Sequence, residues 1–271
     1  MIGGLLTMSR EQLGLFLLIP AIEGVTQYWH RIRSGDWSAV RRLVAQHTVF
    51  LIVLVLALTP QLMTYWVLNG RIGPSTVVLE KLQLQVADPY ANGVPGSAHF
   101  WDTLIDTIPS PITGHAFAHG AFLWTPIWLI GLVGLVLLWR RDRLLMIVLF
   151  AVFVAQTWLN GSFGTTWHLS GAFGFRRLIE VTPVFLLGLA LLLDRIRLRA
   201  VWTIIGALLI AWNIGLINQW TILGARDPQL RQGLVWNGMI ERQLNLPLTV
   251  GDKVGELLFD RCALVENCGG R

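Results

Sequence analysis

Arg176 and Arg177 stand side by side at the head of an apolar run, and Glu180 follows three residues after Arg177. Adjacent guanidiniums at a helix start grip a phosphate through charge-assisted hydrogen bonds, helped by the unpaired backbone N–H groups of the first turn. Arg177 and Glu180 are spaced to meet on one helix face. The competing reading is that the arginines snorkel to lipid headgroups and Glu180 neutralises one of them. A second chemically equipped stretch is Gly114–Pro126, which holds His115, His119 and Trp124. For a general base, Asp102 and Asp106 are the nearest carboxylates, four apart beside Trp101; their alternative reading is a solvated polar face. Glu23 interrupts an apolar segment, where an ionisable group is a functional candidate by default.

These residues hang on a framework that composition identifies. Of 271 residues, 54% are hydrophobic and 14% charged, against roughly 25% charged in a soluble domain. No Asp, Glu, Lys or Arg occurs in 43–70, 107–139, 144–175 or 200–225. A helix of roughly 20 apolar residues crosses the hydrocarbon layer, and each of these runs is longer. The expected fold is therefore all-α, a polytopic membrane bundle of about six hydrophobic helices at 12–29, 47–68, 122–139, 144–160, 178–193 and 201–220. Residues 1–220 form the transmembrane domain in this reading, and 221–271 an external C-terminal tail. Trp29, Trp66, Trp124, Trp139, Trp158 and Trp220 fall near span ends, where amphipathic rings prefer the headgroup level.

Charge placement gives the orientation. The connections 30–43, 140–143 and 194–199 hold ten arginines in 24 residues, whereas 69–121, 161–178 and 221–271 hold ten Lys and Arg in 122. This fivefold difference puts the short set in the cytoplasm and loop 69–121 and the tail outside. The net charge of +5 is thereby explained without nucleic acid, since the basic residues cluster between apolar runs rather than on one basic face. Cys262 and Cys268 lie in the tail, where an oxidising face would let them close a disulfide loop; two free thiols are the alternative. No phosphate-loop, dinucleotide or metalloprotease motif occurs, no metal cluster is visible, and no cofactor is implied. The opening Met1–Leu6 lacks the basic region of a signal peptide and reads like the tail of an earlier apolar helix. The expectation is a chain that starts inside a longer protein.

The phrase His119-Gly120-Ala121-Phe122-Leu123-Trp124-Thr125-Pro126 resembles the H-G-L-F-x-W-T-P signature of bacterial membrane glycosyltransferases of the GT-C fold, relatives of the dolichyl-phosphate-mannose protein mannosyltransferases. Gly171–Leu178 resembles their S-F-G-x-R-R-L, and Pro183, Gly188, Leu189 and Ala190 fit a third phrase. The resemblance covers about residues 1–220. It implies transfer of a sugar from a polyprenyl-phosphate donor, with inversion, on the exported side of a bacterial inner membrane. His119, Arg176 and Arg177 would then contact the donor phosphate, supported by His115, Trp124 and Glu180, and Trp124, Trp158 and Trp167 would offer stacking faces. The chain departs from the pattern at Ala118, where relatives carry a polar or basic residue. It also has no counterpart of the family's catalytic Asp, which lies in an external loop after the first span. The alternatives are a non-catalytic membrane partner, a lipid or solute transporter, or an inactive fragment.

Topology reporters fused after Gly35 and Arg197 should read cytoplasm, and after Gly96 and Gly251 the exported side. An exported signal at Gly35 would reverse the orientation and remove the donor site from its expected face.

Overall fold

The computed structural model describes residues 2–77, 100–105, 120–162, 174–196, 198–220 and 239–259. Among these, the architecture is helical, with no strands. Helix α1 (Ile2–Ser9) leads through a 3-10 segment (Glu11–Leu17) into α2 (Leu18–Arg33), and α3 (Trp37–Asn69) follows. Two short helices, α4 (Phe100–Ile105) and α5 (Ala121–Trp124), precede α6 (Ile127–Leu135), which continues as a 3-10 turn over Val136–Arg140. Next come α7 (Arg143–Gly161), a 3-10 segment (Arg176–Val181), α8 (Thr182–Arg195), α9 (Arg199–Asn218) and α10 (Met239–Phe259).

Helix starts follow local chemistry. Asp36 caps α3 by accepting from the Ala39 N–H at 3.0 Å, and Asp142 caps α7 through the Leu145 N–H at 2.9 Å. Each satisfies a backbone donor that has no partner inside its helix.

Among the described residues, three helices are long and apolar enough to cross a membrane: Trp37–Asn69, Arg143–Gly161 and Ala200–Asn218. The other expected spans are assembled from pieces. The 12–29 segment starts as a 3-10 turn and becomes α-helical at Leu18, with Pro20 in the first turn. The 178–193 segment does the same, with Pro183 at the start of α8. The 122–139 segment breaks at Thr125 and Pro126. Proline lacks the N–H that a preceding helix would need and is tolerated at a helix's first turn. That restricts where each α-helix can begin.

The three long helices differ in what surrounds them. Half of the apolar window of α7 is buried inside the protein, against 11% for α9 and none for α3. Leu51, Leu56, Val67 and Leu68 on α3, and Ile204, Leu208 and Ile210 on α9, are all more than half exposed. Such surface is suited to lipid, which solvates apolar side chains at no hydrophobic cost. The α7 side chains Val152 and Phe153 instead join Leu135, Leu178, Val181 and Phe185 in the core.

The tightest helix pair is α6 with α8. A Cβ built on Gly131 would lie 2.6 Å from the Phe185 carbonyl oxygen, and one built on Gly188 would overlap the Gly131 carbonyl. Small residues let two backbones approach this closely, which is how helices associate where water supplies no drive. Trp128 stacks on Phe185 at 5.0 Å beside this seam. Within the expected tail, α10 packs on α9: Gln243 Nε2 donates to the Trp212 carbonyl at 3.0 Å and Arg242 Nε to Gln219 Oε1 at 3.1 Å.

Gly188→Leu should separate α6 from α8 and lower stability by at least about 1–3 kcal/mol, the usual cost of overpacking. Gly206→Leu on α9, where a Cβ meets nothing within 4 Å, should be neutral or stabilising through helix propensity. Thermal unfolding in detergent measures both, and equal midpoints would refute the seam's role.

Candidate functional site

The 3-10 segment Arg176–Val181 fixes where its side chains point. Phe175, Leu178 and Val181 are buried in the core. In a 3-10 helix residues three apart eclipse, so Arg177 and Glu180 share an edge. Arg176 is exposed, Arg177 half-buried and Glu180 buried.

Glu180 does not form the ion pair with Arg177 expected from their spacing; its cation is Arg10. Arg10 lies in extended backbone between α1 and the first 3-10 segment, and its Nε meets Glu180 Oε1 directly. The Gln156 side-chain amide donates to Glu180 Oε2. Turned with its nitrogen toward the carboxylate, the Gln12 amide lies 2.9 Å from Oε2 and 3.2 Å from Oε1. Asn160 Nδ2 donates to the Arg177 carbonyl at 3.3 Å. Gln156 and Asn160 are four apart on α7 and so face the same way. The polar cluster thus joins the N-terminal segment, α7 and the 176–181 turn.

Arg10 meets the Glu180 carboxylate, and Arg10 and Arg176 both lie near enough to Arg177 to act on it electrostatically. Burial, with Arg10 and Arg176 adding repulsion, lowers the Arg177 guanidinium to about 10. It therefore remains cationic at neutral pH. A clustered, partly desolvated positive charge suits a phosphate or another oxyanion.

The two sequence phrases meet in space. Trp124 is 2% exposed. Its ring packs edge-on to Trp220 at 6.4 Å, and a Cβ built on Gly174 would lie 3.7 Å from its Cε3. Gly174 has φ +61°, a left-handed conformation that glycine adopts freely. It sits two residues before Arg176, while Gly120, the neighbour of His119, is buried next to α5. His115, His119, Asp106, Trp167, Cys262 and Cys268 lie outside the described residues. Asp102 is on α4, with the position of its side chain undescribed. Trp158 is half-buried on α7.

Sequence reading missed Arg10, Gln12, Gln156 and Asn160 as partners of the site. Two of them carried a signal: Gln156 and Asn160 are polar residues inside the uncharged 144–175 run, spaced for one helix face. Arg10 and Gln12 carried none, because only tertiary packing brings them to Glu180.

Removing the cation should leave a buried carboxylate unmatched. Arg10→Ala should cost about 1–3 kcal/mol, less than a fully buried pair because the Arg10 side chain is 43% exposed. Arg10→Ala combined with Glu180→Gln should recover part of that loss, and strictly additive effects in thermal unfolding would refute the pairing. No protein-family model matches the chain, nor does any curated protein or solved structure.

Proposed function

We propose that this chain is the C-terminal part of a GT-C-type membrane glycosyltransferase that uses a polyprenyl-phosphate-linked sugar on the exported side of a bacterial inner membrane. The observation that carries the reading is the meeting of Trp124 and Gly174. It brings together the ends of the two phrases through which the chain resembles that family. It also sets the Arg10, Arg176 and Arg177 cluster beside the segment that begins at Gly120.

In such a reaction the acceptor oxygen attacks the anomeric carbon as the bond from that carbon to the phosphate oxygen breaks. Negative charge collects on the departing polyprenyl phosphate, where Arg176 and Arg177 would stabilise it, with His119 as a further contact. A carboxylate must take the acceptor proton. Asp102 and Asp106 are the chain's own candidates, and a segment of the same protein preceding this chain is the other source. The six-span topology, the outside loop 69–121 and the outside tail belong to the same proposal. They rest on the arginine distribution and the apolar segments.

One observation favours a second reading. The Arg10–Glu180 pair, its carboxylate buried and joined by Gln12 and Gln156, would within a membrane be the kind of polar group that lines ion and solute pathways in transporters.

Binding of a polyprenyl phosphate to the purified protein tests the first reading. Each hydrogen bond from a guanidinium to phosphate contributes on the order of 1.5–3 kcal/mol. Arg176→Ala and Arg177→Ala should therefore each weaken affinity roughly 10- to 150-fold. Arg143→Ala, whose guanidinium lies 5.2 Å from the Trp139 ring centre, should bind as the unaltered chain does. Equal behaviour of all three variants would exclude the donor site. Substrate flux into proteoliposomes, abolished by Glu180→Gln, would favour the transporter.

A further inference from the structure

Helices α6 and α8 run parallel, since Gly131 lies against Phe185 and, further along both, Gly134 lies against Gly188. The C-terminal end of α8 therefore lies beside the 3-10 turn that continues α6, at the end that is cytoplasmic in the proposed orientation. A pocket of about 580 Å3 opens between them. Arg140, Arg141 and Arg195 line it, and Asp194 is the one carboxylate among its described lining residues. Val136, Trp139 and Leu191 form its apolar wall.

The carboxylate is already engaged. Arg141 Nη2 lies 3.5 Å from Asp194 Oδ2, with both side chains more than two-thirds exposed. Asp142, the neighbouring carboxylate in sequence, does not line the pocket and caps α7. Among the described residues, Arg140 and Arg195 make no ion pair. Each stands in the last turn of its helix, where the free carbonyls carry a partial charge of roughly −0.5. Two such ends still leave the two guanidiniums with a residual charge of about +1. An anion is the ligand that this charge favours.

The apolar wall continues away from the arginines. Leu129, Val133 and Val136 are spaced four and three apart, so they follow one face of α6. They are 47%, 59% and 53% exposed. From Leu129 to Arg140 the chain rises about 16 to 19 Å through α-helical and 3-10 geometry. The hydrocarbon of one leaflet is about 15 Å deep, half of the whole core. We infer that this pocket binds an anionic phospholipid, with its phosphate between Arg140 and Arg195 and one acyl chain along Val136, Val133 and Leu129. Basic pockets between membrane helices take anionic headgroups. Trp139, 43% exposed, adds an indole suited to the headgroup level. A free phosphate would satisfy the guanidiniums but leave the apolar face uncovered. The site requires that the chain lie in a membrane and is independent of the proposed glycosyltransferase chemistry.

Native mass spectrometry of the protein with equimolar phosphatidylglycerol and phosphatidylcholine of matched chains tests this by reading the first lipid bound. Phosphatidylglycerol should dominate. Arg140→Gln with Arg195→Gln should reduce that preference by about fivefold per arginine. Arg33→Gln with Arg41→Gln removes the same charge around the α2–α3 turn and should leave the preference intact. Val133→Gln with Val136→Gln makes the track polar without changing charge and should lower phosphatidylglycerol retention severalfold. Glycerol phosphate in excess, the headgroup chemistry without the chains, should not displace the lipid. Absence of any preference, equal losses in the two arginine variants, or full retention in the valine variant would each overturn the site. Displacement by glycerol phosphate would overturn the lipid and leave a pocket for free anions.

Discussion

The Glu180 carboxylate imposes the most demanding constraint in the molecule. Its side chain is 4% exposed. An unmatched ion there would cost several kcal/mol. The match is directional, and it is supplied by two segments distant from Glu180 in sequence: Arg10 with Gln12, and Gln156 on α7. The N-terminal segment is therefore held to the central helix by polarity, in a place where apolar contact alone would leave its register free. The same constraint sets Arg176 and Arg177, because the turn that buries Glu180 also fixes the direction of its neighbours.

Elsewhere the bundle relies on shape. The α6–α8 seam has no polar link among its close contacts; glycine backbones approach and aromatic rings stack alongside. Lipid competes equally for apolar side chains, so surface fit rather than water exclusion decides which faces associate. This explains why α7 is central while α3 and α9 keep open apolar flanks. The α7 helix presents both polar partners for Glu180 and apolar partners for Phe185.

Much of the framework was legible because the signal is local. Long uncharged runs are read from neighbouring residues. The composite build of the 12–29 and 178–193 segments was not, although Pro20 and Pro183 mark where the α-helix takes over. The site divides in the same way. The spacing of Arg177 and Glu180 lets them meet on one helix face, yet the cation at the Glu180 carboxylate comes from the distant Arg10. Sequence neighbours are available to inspection and tertiary neighbours are not. Trp124 likewise has tertiary neighbours that its place at the end of an apolar run does not disclose, Trp220 and Gly174.

Helix α3 carries a further consequence in its length. Trp37 and Trp66 are 29 residues apart near its two ends and are each more than 60% exposed. At 1.5 Å per residue they are separated by about 43 Å. That matches the thickness of a bilayer including both headgroup layers, about 40–45 Å. Were α3 to stand upright in a bilayer, each indole would reach one interface, and in a thinner membrane the helix would have to tilt or the lipid stretch to meet it. In that setting the tryptophan pair would act as a caliper, making the helix's inclination depend on the membrane around it.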